Sequence, residues 1–564
     1  MKLNIKKKDM WHILLLIVIV SSLWSTLSIT TQEELVFGDE GYYASLSQGF
    51  AENLDIRYRT VFGETDLKGE VPNTNEPMTF LMLSSFYLML GELGMKILIP
   101  IVSIVSALLL FLLTKKIHST RAGVIAATFY LATPAIVTHT VFVYTEHIAL
   151  MFLIGSFYFL YTYLQEENFH HLVFTGILFS FSVLTEPTTI LAPLIFAIVL
   201  FLYKISYKSW LKEFGTIVII ALIMMAPWMA HNYRVGSDLG FQTGRVLDPL
   251  GIDFGEETNY EDQLPDVDTG GVKDPTETGG GTANPLHKFG ILNYAEFAYT
   301  LPIFFLAILG FCYYFLESKK KYIMPILWTV FFFSVVYFFL SGQRVEGLSR
   351  NTLFVAAPLA MVAGLASDKI YDYLTSFEST GKMLGIIFIL VLVGWSLFTV
   401  STKAESLRPQ KQYSQSFFEA CDWVKENTPE DSVLHYIYGH RSKYHCQRES
   451  VKNKHIGIED AVTSPGNHTY EIYKTVGVDY VMLQSSLISR EPRKTTYSAD
   501  FVQHIMLDPH YEQVYAYPEG CNVMDMQQDC VAVYEVLDED EMEQPEQQGN
   551  QTMTLSPEDL QGGE

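Results

Sequence analysis

The chain has 564 residues, 49% of them hydrophobic, with mean hydropathy +0.18 and a formal net charge of -24. So acidic a balance argues against nucleic acid as a partner. The apolar content is gathered in runs of roughly 20 residues, the length that crosses about 30 Å of hydrocarbon, so the chain reads as polytopic in a membrane.

The first run, Trp11 to Thr30, follows Lys6-Lys7-Lys8. It lacks a small-residue cleavage site and is long for a signal peptide, which makes it an uncleaved signal anchor. About 11 spans are expected, near 10–30, 94–114, 122–142, 147–164, 172–185, 188–203, 214–231, 294–316, 322–341, 351–367 and 384–401. The fifth and sixth form a short pair broken at Glu186-Pro187. Basic clusters at Lys6–Lys8, Lys115-Lys116 with Arg121, Lys204 to Lys212, Lys319–Lys321, and Lys369 with Lys382 fall on one side if the spans alternate. The loop Gln165 to His171 is an acidic exception. The excess of Lys and Arg marks the cytoplasmic face, so the N-terminus is expected inside and the C-terminal region outside.

Three external segments follow. The loop 31–93 holds Asp39-Glu40 and an amphipathic stretch, Glu76-Pro77 to Gly91, expected to lie in the membrane interface. The loop 232–293 is rich in Gly, Pro, Asp and Glu and reads as largely irregular. The division is therefore a transmembrane domain over 1–403, an external α/β domain over 404–537 and an acidic disordered tail over 538–564. Within the external domain, helices are expected at Phe417–Glu426 and His468–Val476. Strands are expected at Ser432–Tyr438, Val478–Leu483, Tyr511–Tyr517 and Val531–Leu537. Cys312 falls in an apolar span and reads as a buried, inert thiol. Cys421, Cys446, Cys521 and Cys530 are an even set in the external domain. Disulfides 521–530 and 421–446 are the pairing considered, though spacing alone does not fix it.

Asp39-Glu40, just past the first span, is the leading candidate for chemistry. Ionised groups at a membrane surface are costly unless they line a wet cavity or are paired. A sugar hydroxyl that attacks needs a base to take its proton. One carboxylate suffices when the leaving group is a phosphate, whereas an ordinary glycosidase needs a second acid. The alternative is an interface acid capping a helix over 41–50. Glu146-His147 opens the fourth span on the same face. It either complements the helix dipole or faces the same cavity, where Asp39, Glu146 and His147 would hold a divalent cation, Mg or Mn. Glu186-Pro187 reads as a helix break. Arg344 and Arg350 are placed to bind a lipid phosphate or to snorkel to headgroups. Trp228, Asn232 and Tyr233 read as interfacial-belt residues.

Taken in order, these features resemble a known superfamily. They are the basic start, one span, Asp39-Glu40 with Tyr43, Asn75-Glu76-Pro77, Glu146, Leu184-Thr185-Glu186-Pro187, Pro227-Trp228 with Asn232, and Arg350 before a span containing Pro358. The order is similar to that of the GT-C superfamily of polyprenyl-phosphate-sugar glycosyltransferases. The nearest branches are the protein O-mannosyltransferases and the bacterial aminoarabinose transferases. Trp423 to Pro429 and Gly477 to Val481 resemble segments of archaeal members with an external domain.

The resemblance implies that Asp39 is the catalytic acid, with Glu40 its neighbour. Glu146, Arg344, Arg350 and Tyr43 then bind substrate. It also implies a polyprenyl (dolichyl) phosphate sugar as donor, a glycan or protein as acceptor, and a site in contact with membrane lipid. Glu76 and Glu186 depart from it, standing where the family often has Lys. A Trp-Trp-Asp motif, typical of transfer of a whole glycan, is absent. The other class left open is a non-enzymatic polytopic protein, a lipid-linked sugar transporter or a receptor. The broken helices and repeats typical of transporters are not evident in the sequence.

Overall fold

A computed structural model describes residues 7–32, 34–35, 40–53, 57–59, 70–72, 76–204, 206–234, 298–317, 320–338, 345–411, 414–451, 462, 465, 468–489, 497–525 and 528–538. The chain divides into two compact units. The first comprises 1–58 with 71–413, and the second 59–70 with 414–564.

The first unit is a multi-pass helical bundle. Its helices are α1 (Lys7–Thr30), α2 (Glu40–Asn53), α3 (Pro77–Leu90), α4 (Glu92–Ile117), α5 (Thr120–Ala132), α6 (Pro134–Val141) and α7 (Thr145–Glu166). They continue as α8 (Phe169–Val183), α9 (Ala192–Tyr203), α10 (Tyr207–Arg234), α11 (Leu301–Glu317), α12 (Ile323–Phe338), α13 (Val345–Thr375) and α14 (Glu378–Lys411). Among the described residues six helices are long and apolar enough to cross a membrane, and α5 with α6 makes a seventh as one bent span. Shorter apolar helices include α3, α8 and α11, together with Pro187–Tyr203, a 3₁₀ turn running into α9. The expected spans overlap helices, with 122–142 divided between α5 and α6, but 11 crossings are not reached by length and composition among the described residues. The interfacial stretch is α3, 14 residues long and too short to cross alone. Most of the 232–293 loop and nearly all of the acidic tail lie outside the described residues.

Local chemistry sets the breaks. Ser119 caps α5 by accepting the Ala122 N–H at 3.0 Å. Pro134 then disfavours helical geometry at Thr133, so α6 leaves α5 at 59°. Gly91, at φ +63°, separates α3 from α4 in a conformation that glycine adopts without strain. Helices also meet closely where side chains are absent. A Cβ on Gly364 of α13 would lie 2.9 Å from the Ala122 carbonyl oxygen and 2.8 Å from the Ala126 nitrogen of α5. Small residues at such crossings are the usual device in bilayers, where burial drives association less than packing does.

The basic helix ends gather at one end of the bundle. Asp368 of α13 takes Arg121 and the Ser119 hydroxyl, with His118 3.1 Å away. Arg121 also pairs with Asp372 and lies over the Tyr371 ring, 4.0 Å from its centroid. The acidic 165–171 loop is matched in the same way. Glu166 pairs with Lys116 at 2.6 Å, and Glu167 with Lys204 at 2.8 Å. The sequence exception is thus met by lysines from neighbouring helix ends. Cys312 corrects one expectation: it is exposed on the apolar outer surface of α11, since that helix buries Ile303, Ala307, Gly310 and Tyr314 instead.

The second unit is α/β. Its elements are α15 (Gln415–Asn427), β1 (Val433–His435), α16 (Gly439–Cys446), β2 (Glu449–Val451), α17 (His468–Val476), β3 (Tyr480–Gln484), α18 (Ala499–Leu507), β4 (Tyr511–Tyr517) and β5 (Val531–Val536). The sheet order is β2-β1-β3-β5-β4. β2, β1 and β3 are parallel, while β5 pairs antiparallel with both β3 and β4. The parallel strands are buried on both faces: Tyr480 to Gln484 are buried at every position. Cys421–Cys446 joins α15 to α16, and Cys521–Cys530 joins the segment after β4 to β5. Arg448 donates to the Val424, Lys425 and Thr428 carbonyls, satisfying the last turn of α15.

Candidate active site

The end of the first unit opposite the lysines is built from α2, α3, the α6–α7 turn, the turn after α8 and the last turns of α10. Glu40 opens α2 and is fully buried. Its Oε1 accepts the Val143 N–H at 2.8 Å, tying α2 to the α6–α7 turn. A charged acceptor on a backbone donor is a strong, oriented bond. The helix expected after Asp39-Glu40 therefore exists, but the Glu40 side chain reaches 103 residues along the chain instead of capping its own helix.

Tyr43, one turn on, donates its hydroxyl to Glu76 Oε2 at 2.6 Å. Glu76 precedes Pro77 with φ 53° and ψ 49°, a left-handed backbone. Such a conformation costs a non-glycine residue on the order of 1 kcal/mol or more and gathers at functional sites. The Met78 N–H donates to the Leu184 carbonyl at 3.3 Å, which docks the start of α3 on the Leu184-Thr185-Glu186-Pro187 turn. There Glu186 caps the 3₁₀ turn by accepting the Thr188 N–H. Ser84 donates to the Ser47 carbonyl at 2.8 Å, and Phe80 packs between Phe50 and Trp228. Trp228 thus belongs to an aromatic cluster between α2, α3 and α10. Tyr233, 72% exposed, fits the interfacial-belt reading. At the rim, Lys96 of α4 lies 2.6 Å from Glu92 and 3.2 Å from Glu34. Burial and the neighbouring Glu92 carboxylate push the Glu34 carboxyl above the usual range, and Lys96 opposes that shift.

Glu146 and His147 stand buried in the first turn of α7. Glu146 lies at the positive end of the helix dipole and three positions beyond Val143, so the fold brings it to the same end as Glu40. Asp39 and Arg344 lie outside the described residues. Arg350 falls in the first turns of α13, and its side chain is likewise outside them.

Of the expected cation set, Asp39 lies outside the described residues, and His147 Nε2 is engaged by the Ile136 carbonyl at 3.1 Å. Among the described residues no group of three or more His, Cys, Asp and Glu could hold a metal ion. Sequence reasoning missed the Tyr43–Glu76 bond and the Val143 tether. Their partners are 33 and 103 residues apart, and no local pattern announces them.

Comparison with known proteins adds to this geometry. The profile of the dolichyl-phosphate-mannose-protein mannosyltransferase family matches residues 71–231. The archaeal oligosaccharyltransferase AglB from Archaeoglobus fulgidus, solved with an inhibitory peptide and a dolichol-phosphate, superposes with TM-score 0.59 at 16% identity, over 85% of this chain and 70% of that one. ArnT from Cupriavidus metallidurans, solved bound to undecaprenyl phosphate, superposes with TM-score 0.57 at 12% identity, over 94% of this chain and 98% of that one. The fold is that of the GT-C glycosyltransferases. No curated protein matches the chain by sequence at a significant level.

Proposed function

We propose that this GT-C chain is a membrane glycosyltransferase that moves a sugar, a hexose, from a polyprenyl (dolichyl) phosphate to a glycan or protein acceptor on the extracytoplasmic face. The observation that carries the reading is the buried Glu40 carboxylate held by the Val143 N–H. It anchors Glu40, at the start of α2, at the end of the bundle away from the lysines. In the proposed step Asp39 takes the proton of the acceptor hydroxyl as that oxygen attacks the anomeric carbon. The new C–O bond forms as the sugar–phosphate C–O bond breaks. The lipid phosphate leaves with the electron pair, and the anomeric centre inverts. One base suffices because the phosphate needs no acid to depart.

Arg350 and Arg344 are proposed to hold the donor phosphate, and Glu146 and Tyr43 to shape the sugar site. The donor class is supported by the mannosyltransferase profile and by the lipid phosphates named with the two similar structures. An apolar groove of about 290 Å³ between α11, α12 and α13, lined by Phe304, Phe311, Val330, Phe333 and Leu359 among others, suits part of a prenyl chain. The lysine end is read as cytoplasmic. The disulfides 421–446 and 521–530 support an extracytoplasmic, oxidising side for the second unit. The absent Trp-Trp-Asp motif favours transfer of a single sugar.

The test is transfer in membranes that contain the full chain and radiolabelled polyprenyl-phosphate hexoses. Labelled acceptor that depends on Asp39 supports the reading. Full activity of Asp39→Asn, Glu40→Gln and Glu146→Gln alike would return the chain to the transporter or receptor class.

A further inference from the structure

We infer that His147 is a positioning residue whose imidazole holds the α6–α7 turn in the shape that presents the Val143 N–H to Glu40. The inference rests on the reading of Asp39-Glu40 given above.

His147 is fully buried. Its Nε2 lies 3.1 Å from the Ile136 carbonyl, which can only accept, so Nε2 carries the hydrogen. The bond crosses from the first turn of α7 to the first turn of α6, spanning 11 residues of chain. The Thr140 hydroxyl donates to the same carbonyl at 2.7 Å, and lies 3.2 Å from Nε2 and 3.1 Å from the Ser103 hydroxyl of α4. The imidazole thus joins α7 to α6, and the Thr140 hydroxyl beside it reaches α4.

The turn it closes is Phe142, Val143 and Tyr144, all buried. Within it the Tyr144 N–H donates to the Phe142 carbonyl at 3.1 Å, a tight reversal. The Val143 N–H goes outward to Glu40. His139 Nδ1, by contrast, lies 2.8 Å from the Ala135 carbonyl four residues back in its own helix. His147 instead joins the two helix starts. Without that bond the separation of α6 from α7 is left to the turn and to apolar packing. His147 Nδ1 is buried with no hydrogen-bond partner among the described residues. A buried acceptor left unmade is costly, so the site keeps an imidazole at some expense for what Nε2 does.

The test compares His147→Gln, His147→Asn and His147→Leu in the full-length, detergent-solubilised chain. A Gln amide reaches about as far as Nε2, whereas an Asn amide stops near Nδ1. Hydrogen exchange is read on a peptide containing Val143. It should run about tenfold faster in the Leu and Asn variants, as expected for one lost bond, and return to the wild-type rate with Gln. In the transfer assay kcat should fall about tenfold in Leu and Asn with donor KM unchanged, and Gln should restore it. If His147→Leu does not fold, Gln against Asn decides. Unaltered exchange at Val143 in the Leu and Asn variants, or rescue by Asn as complete as by Gln, overturns the inference. If the wild-type chain transfers no sugar, the exchange pattern still decides the role of His147, and the proposed function alone falls.

Discussion

At the lysine end of the bundle, Asp368 meets Arg121 and Ser119, and Glu166 and Glu167 each meet a lysine. At the opposite end, Glu40 is held by a backbone N–H and Glu76 by a tyrosine hydroxyl. Lys96, between Glu92 and Glu34, shows that this end can also match charge at its rim. The difference lies in the partner each bond brings. A facing cation matches the charge of the carboxylate and fixes two helices, while a backbone N–H or a hydroxyl fixes its direction. The first arrangement suits scaffold and the second suits chemistry, so the ends should respond differently to substitution.

The largest effect is expected at Asp39. Asp39→Asn should lower transfer about 10²–10⁴-fold, as for loss of a general base, with donor binding little changed. Glu40→Gln keeps an oxygen to accept the Val143 N–H and should be milder. A dead Glu40→Gln beside an active Asp39→Asn would reassign the base. At the other end, Asp368→Ala leaves Arg121 without its main partner. Breaking a buried pair costs about 3–5 kcal/mol, so thermal unfolding in detergent should shift well down while turnover per folded molecule holds. A fall in turnover without lost stability would break the contrast.

Tyr43→Phe removes the hydrogen bond to Glu76, a net contribution of about 0.5–1.5 kcal/mol. kcat/KM should fall by more than unfolding shifts. Lys204→Met removes a partner of the buried Glu213, 3.4 Å away, as well as of the exposed Glu167, so unfolding should shift down and only the Glu167 part should weaken at high salt. Chelation by EDTA followed by added Mg or Mn tests the expected cation, and transfer unchanged throughout would remove it from the site. Restoration of a lost rate by either ion would show that the acidic end recruits a cation through Asp39 or another residue.

Much of the fold was readable because it rests on local signals. Hydropathy runs marked the helices of the bundle, and alternation marked Tyr511–Tyr517 with both bounds correct. His468–Val476 was also legible in full from its apolar spacing. Gly439–Cys446 was missed: it is short, polar and begins at glycine, and Cys446 is tied to Cys421 rather than placed by periodicity. Ala499–Leu507 was missed although it is as long as His468–Val476, and the Ser498 cap was the signal left unused. The strand expected over Ser432–Tyr438 keeps only Val433–His435, since α16 begins at Gly439. In the site, the residues facing the end of the bundle were found by their place beside spans. Their bonds were not, because Val143, Ile136 and Leu184 contribute backbone groups, which no side-chain pattern encodes.

The bend at Pro134 has a further consequence, in depth. α6 has eight residues, about 12 Å of helix. Turned 59° from α5, they rise only about 6 Å along the axis of α5. The α6–α7 turn is therefore set about 6 Å lower than a straight helix would carry it, and Glu40 is bonded to that lowered turn. Glu40 is thereby joined about one helical turn nearer the middle of the bundle than the end of an unbent helix would stand.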